Sequence, residues 1–286
     1  MPPDARHNIA SRLVEQARLR PDAIALREKG RSITYAELDR RSRSIAARFA
    51  RDGLGTGSHI LLFVPMSIAL YEALIAIFRL GAAGVVVDPH AGKQHASYCC
   101  DKSRPDAFVG VRKAHLLRLM HAPIRRVARA YVTDGWTPFA RRIKRDDALL
   151  DDSNREAHSV APVTPDTPAL LTFTSGSTGQ PKCAIRTHGL LLAQHAALEE
   201  AIDLQPGQVD FATLPIFALA NLASGLTTEL TDFAAPDITR TVAAPAFFDD
   251  VERQFTDDRP LTIYTGGRRF IRARSTASRA GVRTQK

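Results

Sequence analysis

A run of hydroxyl, glycine and lysine residues extends from Thr174 to Lys182, within the sequence LLTFTSGSTGQPK. Gly176 and Gly179 allow positive φ angles and a close approach of the backbone, so successive N–H groups can converge on an anion. Hydroxyl and ammonium groups supply further donors, and the residues that carry them are Thr174, Ser175, Ser177, Thr178 and Lys182. This set of donors suits phosphate groups.

The spacing of these residues differs from that of a Walker A loop, in which lysine directly follows the last glycine and opens a helix. Here Gln180 and Pro181 separate Gly179 from Lys182. The apolar run before the loop, residues 169–173, predicts a β-strand, and the sequence CAIRT after it predicts a second strand. We therefore expect the loop to be the tip of a β-hairpin. The alternative is a Ser/Gly-rich turn that binds no ligand.

The sequence TSGSTGQPK resembles the phosphate-loop signature of the adenylate-forming enzymes, the superfamily of acyl-CoA synthetases, luciferases and peptide-synthetase adenylation domains. Three further segments follow in that family's order: Thr187-His188, the LPIF of residues 214–217, and the TGG of residues 265–267. Within the family, TFTSGSTGQPKCAIRTHGLLLAQH followed by LPIFALANLASG is most similar to the β-lactone synthetases of bacterial olefin biosynthesis.

This resemblance implies a reaction and a set of binding residues. In the family a carboxylate attacks the α-phosphate of ATP, in the presence of Mg²⁺, and gives an acyl-adenylate and pyrophosphate. The residues that match the phosphate-contacting loop are Thr174, Ser175, Gly176, Ser177, Thr178, Gly179 and Lys182. Gly266 and Gly267 match the start of the segment that lines the adenine, although Arg268 stands where relatives have alanine. The resemblance identifies no catalytic residue in this chain.

The resemblance also implies an acyl pocket, and it places Phe217, Ala218 and Asn221 there. Many acyl-CoA synthetases have histidine at the position of Ala218. Its absence favours activation of a long-chain 3-hydroxy acid whose own hydroxyl closes a β-lactone, with a fatty acyl-CoA ligase as the alternative. Ordinary core packing is an equally good explanation of Phe217, Leu219 and Leu222.

Composition limits the class of protein. With 286 residues and 44% hydrophobic content, the chain can bury the core of one large or two ordinary domains. Three cysteines, two of them adjacent, do not form a disulfide framework, so we expect a reducing cytoplasm. The N-terminus lacks the apolar core of a signal peptide, and no apolar run reaches membrane-spanning length.

The net charge of +9 is concentrated at the C-terminus. Residues 268–286 contain six arginines, one lysine and no acidic residue, which leaves a net charge of +2 for residues 1–267. A nucleic-acid-binding face would ordinarily be spread over folded elements. We therefore expect small-molecule partners, namely ATP and a hydroxy fatty acid or fatty acid, and no nucleic acid.

Strand and helix patterns alternate along the chain and predict an α/β fold with a parallel sheet. The resemblance implies that this is the layered parallel-sheet large domain of an adenylate-forming enzyme, incomplete at its C-terminus. HILLFVP, SIALYEALIAIFRLG and AAGVVVDP predict a βαβ unit. Residues 1–135 are interpreted as a first sheet region, 136–167 as a connection, and 168–267 as the phosphate loop with a second sheet region. FALANLASGLTTEL and PAFFDDVERQF predict helices, and LTIYTGG a final strand.

The family pattern stops after Gly267. Relatives continue with Ala-Pro and a helix, then an aromatic-Gly-x-Thr-Glu segment, a ribose-binding aspartate, a hinge and a small domain that bears a lysine. Residues 268–286 instead show an arginine-rich bias without apolar periodicity, so we expect a disordered tail with no partner strand. This change predicts a chain truncated by a shift of reading frame, with a natural short paralogue as the alternative. A further hypothesis is a catalytically inactive nucleotide-binding remnant.

Two further groups of residues could have either a binding role or a packing role. His95 with Cys99 and Cys100 makes a conceivable soft-metal cluster, but the spacing is unlike that of zinc ligands, so packed or exposed thiols are expected. His188 resembles the family's Thr-His pair. It is expected to have a structural role at a helix start rather than to orient the loop.

Overall fold

The structure, a computed structural model, describes residues 2–87, 92–143, 159–174, 182–212, 215–230, 261–265, 268–272 and 283–285. The strands are β1 (Ile24–Glu28), β2 (Arg31–Thr34), β3 (His59–Phe63), β4 (Ala83–Val86), β5 (Ala107–Gly110), β6 (Arg129–Val132), β7 (Arg141–Arg142), β8 (Pro168–Thr174), β9 (Lys182–Thr187), β10 (Val209–Ala212), β11 (Thr227–Leu230), β12 (Leu261–Thr265), β13 (Arg268–Arg272) and β14 (Arg283–Gln285). The helices are α1 (Ala10–Leu19), α2 (Tyr35–Arg51), α3 (Ile68–Arg79), α4 (Gly92–Ser103), α5 (Arg112–Met120), α6 (Ala122–Arg125), α7 (His188–Ile202) and α8 (Pro215–Ser224).

The strands form two sheets of seven strands each. The first sheet has the order β7-β6-β5-β3-β4-β8-β9, and all its neighbours are parallel except the hairpin of β8 and β9. The second sheet has the order β14-β13-β12-β10-β11-β1-β2, with a parallel centre from β12 to β1. The predicted α/β fold and its βαβ unit are confirmed, since α3 connects the adjacent parallel strands β3 and β4.

The core lies around the first three helices and α8. Every residue of α3 except Ala69 is buried, because this helix contacts β4 of the first sheet and β1 of the second. Helix α2 begins at the predicted cap, where Thr34 Oγ1 accepts a hydrogen bond from the Glu37 N–H. Its Arg41 forms a 3.0 Å ion pair with Glu72 of α3, which provides the buried carboxylate with a partner.

The division into two consecutive sheet regions does not match the sheets. Strand β8 pairs with β4, in the register Gly84 with Leu170, so the hairpin belongs to the first sheet. Strand β1 pairs with β11, in the register Leu26 with Thr228, so the N-terminal strands belong to the second. Pairings over such distances leave no mark on the local apolar pattern, which explains the difference.

The predicted helix FALANLASGLTTEL is wrong in its second half, because α8 ends at Ser224 and residues 227–230 form β11. Gly225 ends the helix with φ of +80°, and the Leu226 N–H donates to the Asn221 carbonyl at 3.0 Å. The two threonines that follow Leu226 are β-branched and favour a strand.

The C-terminal segment also differs from expectation. Residues 268–272 form β13, antiparallel to β12, and residues 283–285 form β14, antiparallel to β13. The prediction of no partner strand is therefore wrong for these residues, while the rest of 268–286 lies outside the described residues. The predicted helix PAFFDDVERQF and residues 144–158 of the predicted connection also lie outside them. In the described part of the chain, no helix has the length and hydropathy required to cross a bilayer.

Candidate functional site

The hairpin of β8 and β9 has the predicted geometry. Thr174 and Lys182 are paired in register as its last residue pair, directly before the loop. Lys182 is exposed on the edge strand β9. The loop residues Ser175, Gly176, Ser177, Thr178 and Gly179 lie outside the described residues. The structure thus confirms the two strands that hold the loop, and the phosphate contacts stay a prediction.

Hydrogen bonds to a preceding turn fix the base of the hairpin. The N–H groups of His188 and Gly189 donate to the carbonyls of Thr167 and Pro165, at 3.0 and 2.8 Å. Thr187 caps α7 as predicted, since its Oγ1 accepts from the Leu190 N–H at 3.1 Å. The base of the hairpin is therefore fixed by the preceding turn and by the start of α7.

His188, the first residue of α7, is fully buried. Its Nδ1 accepts a 3.2 Å hydrogen bond from the Ile9 N–H, and its ring lies edge-on to Phe78 at 6.0 Å. Burial lowers the pKa of His188 to about 4, so the imidazole is neutral at physiological pH. These contacts give His188 a structural role at the base of the hairpin.

A hydrogen bond connects the carboxyl end of a strand in the second sheet to the helix that follows a strand of the first. Glu28, the last residue of β1, accepts a 3.0 Å hydrogen bond from the N–H of Ile68, the first residue of α3. Because α3 follows β3, this bond joins the carboxyl end of the second sheet to that of the first. In open α/β sheets ligands bind at this end of the strands. Sequence reasoning missed Glu28, which has no distinguishing motif.

Helix α8 begins at the carboxyl end of β10, the position predicted for the acyl pocket. Phe217 is partly buried and packs against the main core, whereas Ala218 is fully buried. Leu222 is also fully buried, and Leu219 is 6% exposed. The described residues therefore place Phe217 nearest to solvent among these four.

Asn221 is 2% exposed, and its Nδ2 donates a 2.6 Å hydrogen bond to Oδ2 of Asp210. Burial raises the pKa of Asp210 to about 6, although hydrogen bonds from Asn221 and the Phe211 backbone lower it in part. Sequence reasoning missed Asp210. An acidic residue inside the otherwise apolar strand VDFA was the available signal, since a buried carboxylate needs a partner.

Gly266 and Gly267 lie outside the described residues, directly after β12. Strand β12 runs parallel to β10, in the register Ile263 with Phe211. The two glycines and α8 thus follow the carboxyl ends of adjacent parallel strands. Ligands of open α/β sheets bind at this end of the strands. A separate cavity of about 410 Å³, lined by residues such as Arg129 and Arg141, lies at the opposite edge of the first sheet from the hairpin.

The family model described as "AMP-binding enzyme" matches residues 13–254, most of the chain. The chain belongs to the AMP-binding enzyme family. Among individual relatives of this AMP-binding chain, the olefin β-lactone synthetase of Xanthomonas campestris pv. campestris is 37% identical over 254 residues, which cover 83% of this chain and 44% of the relative. The olefin β-lactone synthetase of Stenotrophomonas maltophilia is 35% identical over 265 residues, covering 87% and 46%. The chain thus spans less than half the length of these relatives.

Solved structures give the same fold. A red-emitting luciferase from Phrixothrix hirtus matches with a TM-score of 0.70 at 16% identity, over 85% of this chain and 62% of the luciferase. A long-chain-fatty-acid–CoA ligase from Archaeoglobus fulgidus matches with a TM-score of 0.65 at 20% identity, over 78% and 46%. At these identities the similarity establishes the fold of the AMP-binding chain and nothing further.

The soft-metal alternative receives no support among the described residues, where no three His, Cys, Asp or Glu side chains could hold a metal ion together. Cys99 and Cys100 are buried in α4, a helix that sequence reasoning missed. Burial raises the pKa of the two thiols to about 12 and about 11, so they are protonated rather than thiolate ligands.

Proposed function

We propose that this AMP-binding chain binds ATP through the β8–β9 hairpin and activates a long-chain 3-hydroxy acid as its acyl-adenylate on the way to a β-lactone. The observation that carries the proposal is the pairing of Thr174 with Lys182 at the open end of the hairpin. It presents an exposed ammonium group beside a loop rich in hydroxyls and glycines. The 37% identity to an olefin β-lactone synthetase supports the choice of acid.

The proposed reaction has two steps. The substrate carboxylate attacks the α-phosphorus of ATP, and pyrophosphate leaves. The 3-hydroxyl oxygen then attacks the activated carbonyl carbon and loses its proton, and AMP leaves as the four-membered lactone closes. Such a reaction asks the protein to hold phosphates and to keep the carboxylate in line, which is the task of the loop and of the start of α8.

The donors at the hairpin fit a nucleotide triphosphate, because backbone N–H, hydroxyl and ammonium groups are phosphate ligands. Mg²⁺ fits the described residues less well, since they offer no cluster of carboxylates for it. We propose that Mg²⁺ arrives bound to the ATP phosphates, whose negative charge it would offset. We also propose the cytoplasm as the location, where the three unpaired cysteines would stay reduced.

The acid-binding side of the proposal depends on α8. Phe217, a partly buried residue of the first turn of α8, would contact the acyl group. At position 218 the chain has alanine, so the imidazole that many acyl-CoA synthetases have there is replaced by a methyl group. Asn221 would not contact the acid through its amide group, because that group donates a hydrogen bond to Asp210. It would influence the pocket by fixing the position of α8. The pocket would then distinguish acids by shape near Phe217.

Pyrophosphate release from ATP by the full chain tests the proposal. Release with 3-hydroxy fatty acids, together with lactone formation in the absence of CoA, would support it. Release with plain fatty acids, followed by thioester formation only when CoA is added, would favour the acyl-CoA ligase. ATP binding without release for any acid would favour the inactive remnant, and absence of ATP binding would overturn the whole assignment.

A further inference from the structure

Exposed apolar side chains are concentrated in one part of the described surface. Eight large apolar side chains are exposed in the described residues, and five of them lie between residues 112 and 143. These five are Leu116, Leu117, Met120, Trp136 and Phe139, with exposures from 38% to 70%. We call the exposed surface of residues 112–143 the basic-apolar face.

The same segment has a high positive charge, although the net charge of residues 1–267 is only +2. Residues 112–143 contain eight arginines and lysines and a single acidic residue, Asp134. Their net charge of +7 exceeds the +2 of residues 1–267, so the remainder of that part is acidic. Residues 1–267 therefore contain a second cationic segment, in addition to residues 268–286.

Contacts between α5 and a loop bring the apolar side chains together. Helix α5 buries Ala114, His115 and Arg118 toward the sheet, which leaves Leu116, Leu117 and Met120 on its outer side. The loop after β6 is bonded to both ends of the helix. The Arg112 N–H donates to Asp134 Oδ1 at 2.6 Å, and Arg118 Nη1 donates to the Phe139 carbonyl at 3.3 Å. Trp136 and Phe139 therefore lie beside α5.

Most cations of this face remain available. Arg129 and Arg141 are bound to Asp52, and Arg118 is buried. In the part of the chain that the structure describes, no carboxylate forms an ion pair with the exposed side chains of Arg112, Lys113, Arg125, Arg126 or Arg142. Asp134 is occupied at the start of α5.

We propose that the basic-apolar face docks the protein on an anionic lipid bilayer. Arginine and lysine attract anionic headgroups, while tryptophan, leucine and methionine insert at the boundary of headgroups and acyl chains. A nucleic acid fits less well, because leucine and methionine neither stack on bases nor hydrogen-bond to them. A second copy of the same face would oppose like charges. The outer side of α5 could also insert into a bilayer directly, whereas a protein partner would need a pocket that matches its shape.

Trp136 makes the proposal directly testable because it is the only tryptophan of the chain. Vesicles of phosphatidylcholine mixed with phosphatidylglycerol should shift its emission to shorter wavelength, and brominated lipids should quench it. Vesicles of phosphatidylcholine alone should have a much smaller effect. The arginine-rich segment 268–286 can also attract anionic vesicles, but it contains no tryptophan. Vesicle binding without a change in Trp136 emission would therefore overturn the proposal.

Matched variants complete the experiment. Leu116→Ser with Met120→Ser should weaken binding to anionic vesicles by about tenfold or more, and Arg125→Gln with Arg126→Gln should weaken it by roughly thirtyfold. Arg18→Gln with Leu19→Ser is the control, since both side chains are exposed on α1. Equal binding by all three variants would contradict the proposal, as would Trp136 responding to RNA but not to lipid. None of these positions belongs to the proposed ATP site, so failure here leaves the proposed function untouched.

Discussion

The amide of Asn221 donates a 2.6 Å hydrogen bond to the carboxylate of Asp210 and so joins α8 to β10, the strand that precedes it. Both side chains are almost completely buried, at 2% and 1% exposure. Asn221 was predicted to line the acyl pocket. The hydrogen bond indicates that it would influence the pocket by fixing the position of α8, on which Phe217 stands.

Replacing Asn221 by alanine should lower the free energy of unfolding by about 1–3 kcal/mol at neutral pH, because Asp210 loses its side-chain donor in a buried site. Urea denaturation followed by circular dichroism measures this loss. Gln205→Ala, which removes an amide that donates to Asp203 at an exposed position, is the control and should change stability little. Equal stability of the Asn221 variant and the parent chain would show that the bond does not fix α8.

Asp210 and His188 give opposite pH dependences of stability. Burial raises the pKa of Asp210 from 3.8 to about 6, so its contribution is fully present below the unfolded pKa and is lost as pH rises through about 6. Burial lowers the pKa of His188 from 6.5 to about 4, so its contribution is present above the unfolded pKa and is lost as pH falls toward about 4. The two effects largely cancel in the parent chain.

Single variants should separate the two effects. Asp210→Asn keeps an acceptor for Asn221, so acidification from neutral pH to about 4.5 should cost it roughly 2 kcal/mol more than it costs the parent chain. His188→Gln keeps an acceptor for the Ile9 N–H and should instead tolerate acidification better than the parent chain. Urea midpoints across this pH range provide the measurement. If the stability of all three chains changed with pH in the same way, neither Asp210 nor His188 would have the pH effect that we predict.

The elements around the candidate site could be predicted from sequence where the signal is local. The apolar run before Thr174 and the sequence CAIRT after Lys182 predict the hairpin, and Thr187 predicts the start of α7. Asp210 and Asn221 are eleven residues apart and belong to different elements, so only the fold brings them together. Likewise, the pairing of β1 with β11 joins residues too distant in sequence for the apolar pattern to reveal.

The end of α8 differs from the helix that the sequence predicts. The small and apolar residues of FALANLASGLTTEL predict one long helix that continues past Gly225. Glycine alone does not end a helix, but here its φ of +80° lets the chain turn into β11. The threonines after it favour a strand through their branched side chains.

Gly225→Ala should therefore destabilise the protein by about 1–3 kcal/mol, since alanine is strained at positive φ. Its Cβ would also approach Oε1 of Gln16 to 2.7 Å. Gly55→Ala is the matched control, because the space around that position is open and its φ is not positive. Thermal unfolding of the two variants provides the comparison. Equal losses in both would mean that α8 does not depend on the turn at Gly225.

Lys182→Ala should weaken ATP binding by about tenfold to a hundredfold, because a charge-assisted hydrogen bond to phosphate contributes about 1.5–3 kcal/mol. Lys182→Arg keeps the charge and should retain most of the affinity. Calorimetric titration with ATP measures both, and the unfolding free energy should stay close to that of the parent chain because Lys182 is exposed on an edge strand. Lys113→Ala, which removes an exposed ammonium group on α5, is the control. The prediction would be contradicted if the Lys182 variants bound ATP as tightly as the parent chain and the Lys113 variant bound it more weakly. That result would indicate an ATP site near α5 instead of at the hairpin.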